Sequence, residues 1–119
     1  MNAWHYCAQT DIDSLFDGKA AELPYIFDKL LAEVSSWEGV VFSATKNCVV
    51  FSRKRAFMIV KPMQKALDVK FYSAEPIDSP AIYKAGLYNS KIENTARLVR
   101  LEDVGQHLLR LIHASYLQQ

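Results

Sequence analysis

The sequence predicts a two-layer α+β fold: an antiparallel sheet of about five strands with helices packed on one face. Three observations carry that prediction. Residues 47–72 read as three successive strands joined by short charged turns, the pattern of a β-meander. Residues 20–36 and 102–117 each place apolar side chains on one helical face, so both can cover a sheet. Half of the 119 residues are apolar, enough for the core of a single domain over residues 1–119, with 1–9 as an N-terminal tail.

Along the chain, Thr10 and Asp13 have the spacing of a helix N-terminal box, and Gly18 stands where a short first helix stops. In the longer helix that follows, Leu23, Ile26, Phe27, Leu30, Leu31 and Val34 repeat at helical intervals. Pro24 fits only in its first turn, and Glu22, Asp28, Lys29 and Glu33 belong on the wet side. Glu38 and Gly39 end it. Residues 40–44 form a β-prone run that 45–47 turn into the strand at 47–52. A charged turn at 53–55 leads to the strand at 56–60, and a second turn at 62–65 to the strand at 66–72. There Leu67, Val69 and Phe71 share one face while Asp68, Lys70 and Tyr72 share the other.

The central strand is different. Phe57 and Ile59 are apolar, and so are Met58 and Val60, which predicts apolar residues on both faces. The face away from the helices then needs a loop, a ligand or a second copy of the chain. Residues 73–94, with Pro76, Pro80 and Gly86, predict either a functional loop or a short strand within 82–88. Residues 95–101 read as the last strand. Glu102 and Asp103 open the final helix, with Val104, Leu108, Leu111, Ile112 and Tyr116 on its apolar face and Arg110 and His113 in water.

The net charge of +1 says nothing about partners, but its distribution is uneven. Residues 1–39 are acidic, with Asp11, Asp13, Asp17, Glu22, Asp28, Glu33 and Glu38 against Lys19 and Lys29. Residues 40–72 are basic, with Lys46, Arg53, Lys54, Arg55, Lys61, Lys65 and Lys70 against Asp68. Lys61, Lys65, Lys70, Arg97 and Arg100 can converge across neighbouring strands, as an anion site requires, and Tyr72 accompanies them. Arg53, Lys54 and Arg55 fill a different turn, about 20 Å from Lys61 and Lys65 at ~3.3 Å per residue, and are the candidates for nucleic-acid contact.

Other chemistry has weaker support. His5 and Cys7 are competent metal ligands, but a zinc site needs four, and Cys48, His107 and His113 show no paired short spacing; the expectation is no metal and no cofactor. Cys48 in an apolar strand reads as a packing residue, and His107 and His113 as surface residues. The four glycines, at 18, 39, 86 and 105, make no phosphate loop. No apolar run approaches the ~20 residues of a membrane span, and residues 1–6 lack the blocks of a signal peptide. The expectation is a cytoplasmic protein without membrane contact, with Cys7 and Cys48 as reduced thiols.

The run from Phe51 through Lys61 and Pro62 to Phe71, the stretch from Arg97 to Leu101, and a helix ending in Ala114 and Tyr116 resemble a bacterial family, domain of unknown function 5655. The resemblance spans nearly the whole chain from Thr10. Trp4, His5 and Cys7 look like a remnant of the zinc-ribbon-like stretch that opens some members, without its first cysteine pair. The resemblance implies a small α+β domain of unestablished activity, with no family catalytic residues to carry over. Its occurrence beside nuclease-like or methylase-like modules implies an accessory role in nucleic-acid handling.

The expected function is therefore a non-enzymatic binding or interaction module, contacting a protein partner, a second copy or an anionic ligand through the sheet face of Met58, Val60, Lys70 and Tyr72. A nucleic-acid-binding accessory domain is the alternative, and an enzyme using Cys48 or a histidine the third reading.

Overall fold

A computed structural model describes residues 15–88 and 90–118. Helix α1 spans Leu23–Val34, with Pro24 in its first turn, and buries Leu23, Ile26, Phe27, Leu30 and Val34. The strands are β1 (Val41–Ala44), β2 (Val49–Ser52), β3 (Ala56–Pro62), β4 (Leu67–Ser73), β5 (Lys84–Tyr88) and β6 (Lys91–Leu98). A 3₁₀ turn, Leu101–Asp103, leads into helix α2, Gln106–Leu117. The start of the short first helix and the tail lie outside the described residues, while Gly18 has the left-handed backbone expected at a helix stop.

All neighbouring strands pair antiparallel, in the order β1-β2-β3-β4-β6-β5. The fold is α+β, as expected, with one more strand than the expected five. The extra strand is β5, the short strand foreseen within 82–88, and residues 74–83 carry the chain past the place that β6 then fills. Strand β6 begins four residues before the expected Thr95, because Lys91 and its neighbours pair with β5 on one side and β4 on the other. It ends before Leu101 because Asp103 Oδ2 accepts the Val99 and Arg100 N–H groups at 2.8 and 3.0 Å, drawing the chain into the 3₁₀ turn.

The strands bury one face throughout, and on the other Asp68, Tyr72 and Thr95 are buried as well. By register, Val49, Phe51, Met58, Val60, Leu67, Val69, Phe71, Ala96 and Leu98 point to the helix layer and are buried there against α1 and α2. This corrects the expectation that Met58 and Val60 face away from the helices. The cause is a β-bulge: Phe51 pairs with Met58 but Ser52 with Ala56, so Phe57 is an extra residue. Phe57 and Met58, though consecutive, are both fully buried, and Phe57 meets the rings of Trp37 and Tyr116. The far face of β3 is left with half-buried Ile59 and exposed Lys61.

The ladder between β3 and β4 stops at Met58 and Phe71. Ser115 of α2 continues the link. Its buried hydroxyl accepts the Tyr72 N–H at 3.0 Å and donates to the Phe57 carbonyl at 2.7 Å, joining β4 to β3 beyond the end of the ladder. Polar Ser115 therefore belongs to the buried face of α2, with Leu108, Leu109, Ile112 and Tyr116, and Leu111 is only half-buried.

Candidate anion-binding site

Every hairpin reverses the chain, so the β1–β2 turn, the β3–β4 turn and the exit from β6 share one end of the sheet. The β2–β3 turn lies at the other end. Residues 18–20 join the first end: the Ala20 N–H donates to the Gln64 carbonyl at 3.0 Å and Gln64 Nε2 donates to the Gly18 carbonyl at 2.8 Å. Gly18, at φ 73°, turns the chain there without a Cβ penalty and so delivers Lys19 to the strand ends.

Lys19, Lys46 and Lys61, with Leu15, Asn47 and Pro62, line a cavity of about 170 Å³. A second cavity of about 450 Å³ shares Lys19 with it and is lined further by Gly18, Ala20, Glu22, Gln64, Lys65 and Val99. Lys46, Lys61 and Lys65 are exposed and Lys19 is half-buried. Among the described residues, none of these four lysines forms an ion pair. Like charges converging on one concavity raise its potential and favour an anion.

Arg97 and Lys70, on the far face of β6 and β4, stand in a different electrostatic setting. Arg97 is locked to Asp68 through two hydrogen bonds, Nε to Oδ1 at 2.8 Å and Nη2 to Oδ2 at 3.1 Å, and its guanidinium lies 4.1 Å from the centre of the Tyr83 ring. The hydrogen bond to Asp68 raises the Arg97 pKa above its already high ordinary value. Lys70 Nζ approaches Glu93 Oε1 at 3.8 Å, and the Tyr72 hydroxyl donates to Glu93 Oε2 at 3.4 Å. Lys70, Tyr72 and Arg97 thus belong to a cross-strand lattice of opposite charges on β4 and β6. Of the six residues expected to bind a ligand, Lys61 and Lys65 reach the cavity end and these three do not. Arg100 follows Val99 out of β6 toward that end, its N–H held by Asp103.

The turn of Arg53, Lys54 and Arg55 stands at the opposite end, beyond the seven residues of β3, so it is separate from Lys61 and Lys65, as expected. Arg53 packs its guanidinium 4.8 Å from the centre of the Tyr116 ring, whose hydroxyl donates to the Glu38 carbonyl at 2.5 Å. Lys54 and Arg55 are exposed.

Two further expectations are corrected. Cys48 lies in the β1–β2 turn rather than in a strand, half-buried, with Sγ 3.1 Å from Thr45 Oγ1. His113 is not on a wet face: it is half-buried, edge-on to Trp37 at 4.7 Å and stacked on Tyr116 at 5.3 Å, because α2 packs that side against the end of α1. His107 is exposed, 2.7 Å from Ser79 Oγ, but that oxygen also accepts the Ala81 N–H, a turn contact that pins the 74–83 loop to α2. His5 and Cys7 lie outside the described residues. Among the described residues, no group of three or more His, Cys, Asp or Glu can hold a metal ion, and no helix is long and apolar enough to cross a membrane.

Lys19 and Lys46 are the residues that sequence reasoning left out of the site. Lys19 sits in an acidic segment, and nothing local marks it; its place follows from the two hydrogen bonds to Gln64. A third cavity, of about 260 Å³, opens between α1 and α2 among Glu33, Trp37, Gln106, Leu109, Arg110 and His113, and carries charges of both signs.

Residues 12–119 match the model of the family described as domain of unknown function DUF5655. The chain belongs to this family. No curated protein and no solved structure gives a significant match.

Proposed function

We propose that this DUF5655 chain is a binding module, not an enzyme, and that its lysine-bearing end takes an anionic ligand carrying a phosphate or carboxylate group. The observation that carries this reading is the contrast between the two basic regions. Lys70 and Arg97 on the far sheet face are paired with Glu93 and Asp68, whereas Lys19, Lys46 and Lys61 converge on a small cavity with no ion pair among the described residues. A matched pair has little attraction left for a third charge, and an unmatched cluster gains from any anion that enters. The Asn47 amide adds a neutral donor to the same wall.

A long nucleic-acid track receives less support, because Arg53, Lys54 and Arg55 stand at the other end of β3 and Arg53 is occupied with Tyr116. The reading places the protein in the cytoplasm, where Cys48 stays a free thiol and phosphorylated molecules are available.

Calorimetric titration with inorganic phosphate tests the proposal. Saturable binding is expected, with Lys46→Met or Lys61→Met weakening it about tenfold, the equivalent of ~1.4 kcal/mol for a lost charged contact. Equal affinity in the variants and the parent would overturn it. A short DNA duplex in the same assay should bind no more tightly than phosphate does.

A further inference from the structure

The anion-binding end has two compartments, not one, and Lys19 belongs to both. We propose that they take the two halves of a single ligand, a nucleoside monophosphate, with its phosphate among Lys19, Lys46 and Lys61 and its nucleoside extending past Lys19 toward Gln64 and Glu22. This rests on the anion-binding reading above.

Size separates the two halves. A cavity of about 170 Å³ has room for a tetrahedral anion but falls below the ~300 Å³ at which sites for whole organic ligands begin. The neighbouring cavity of about 450 Å³ falls in the range that small-molecule sites occupy. Charge separates them as well. The small compartment has three lysines and no carboxylate, so it favours a group bearing more than one negative charge. In the large one Glu22 offsets part of the charge of Lys19 and Lys65, and its carboxylate favours a body that donates hydrogen bonds to it.

The remaining walls of the large compartment decide the kind of body. Gly18, Ala20 and Val99 are apolar, and Val99 is 49% exposed, so its side chain is available to a ligand surface. A sugar alone would place hydroxyls against these walls, whereas a flat heterocycle with amino donors presents an apolar face to them and its edge to Glu22. The two compartments are joined by Lys19, whose backbone is fixed between the Ala20 N–H, which donates to the Gln64 carbonyl, and the Gly18 carbonyl, which accepts from Gln64 Nε2.

The test titrates the full chain with inorganic phosphate, AMP and adenosine. AMP is expected to bind at least about tenfold more tightly than inorganic phosphate, and adenosine more weakly than AMP. Lys46→Met should weaken phosphate and AMP alike, while Glu22→Gln should narrow the gap between AMP and phosphate without weakening phosphate. A terminally phosphorylated oligonucleotide that binds more tightly than AMP, with its unphosphorylated counterpart weak, would support the same chemistry and assign the phosphate to a strand end. Equal affinity for AMP and phosphate would overturn the two-compartment ligand and leave the anion site standing. Adenosine matching AMP, or no binding by any of the three, would overturn both.

Discussion

At the scale of single residues, the chain shows how far a side chain's charge is from its use. Asp103 looks like a helix-start residue, yet its carboxylate closes the end of β6 by accepting the Val99 and Arg100 N–H groups, and these bonds lower its pKa. A carboxylate with a depressed folded-state pKa stabilises the protein above its unfolded pKa, near 4, and that contribution is lost as pH falls through the lower folded value. Thermal midpoints measured between pH 6 and 3 should therefore fall less steeply for Asp103→Asn than for the parent, with the variant the less stable of the two near neutrality. Parallel curves would show that the two backbone bonds do not favour the charged form. Arg97 makes the same point: its charge is plain in the sequence, but its commitment to Asp68 depends on β6 lying beside β4 in register. Lys61 and Lys65 were legible as candidates because they flank a visible turn, and Lys19 was not, because its neighbours in the two cavities come from elsewhere in the chain.

At the scale of elements, periodicity identified the helices and five of the six strands to within a few residues, and it failed where a strand departs from period two. The bulge at Phe57 puts two consecutive apolar residues on the same side, so Met58 and Val60 join the helix layer and half-buried Ile59 stays on the far face. The early start of β6 was hidden by Asn94, a polar residue that is fully buried at a position facing Phe71, where the pattern calls for an apolar one. The bulge is coupled to α2 through Ser115. Ser115→Ala leaves the Tyr72 N–H and the Phe57 carbonyl buried without this partner, and should cost about 1–3 kcal/mol. In a domain of this size that lowers the thermal midpoint by about 4–8 °C per kcal/mol. A loss under about 0.5 kcal/mol in denaturant titration would mean that water or backbone movement replaces the hydroxyl.

At the scale of the whole molecule, strand order sets both rigidity and the location of the site. Strands β2, β3, β4 and β6 have partners on both sides, whereas β1 and β5 are the edges. Amide exchange should follow: N–H groups around Val60, Val69 and Ala96 are expected to exchange at least about tenfold more slowly than those of β5, whose Leu87 is 85% exposed. Exchange in β5 as slow as in β4 would argue for a further partner along that edge. The same order carries the three connections bearing Lys46, Lys61 with Lys65, and Arg100 to one end, and sends Arg53, Lys54 and Arg55 to the other.

The sequence by itself determined the α+β class, the meander, the two covering helices and the family, because these rest on spacing between near neighbours, which period and turn chemistry report directly. Only the tertiary structure decided which charges are matched and which are left to face a cavity. Pairing across strands depends on register and strand order, and the docking of residues 18–20 on Gln64 depends on contacts more than forty positions apart. No local pattern encodes such contacts; they form when the sheet closes its buried face against the helices and the remaining side chains take the places that closure leaves them.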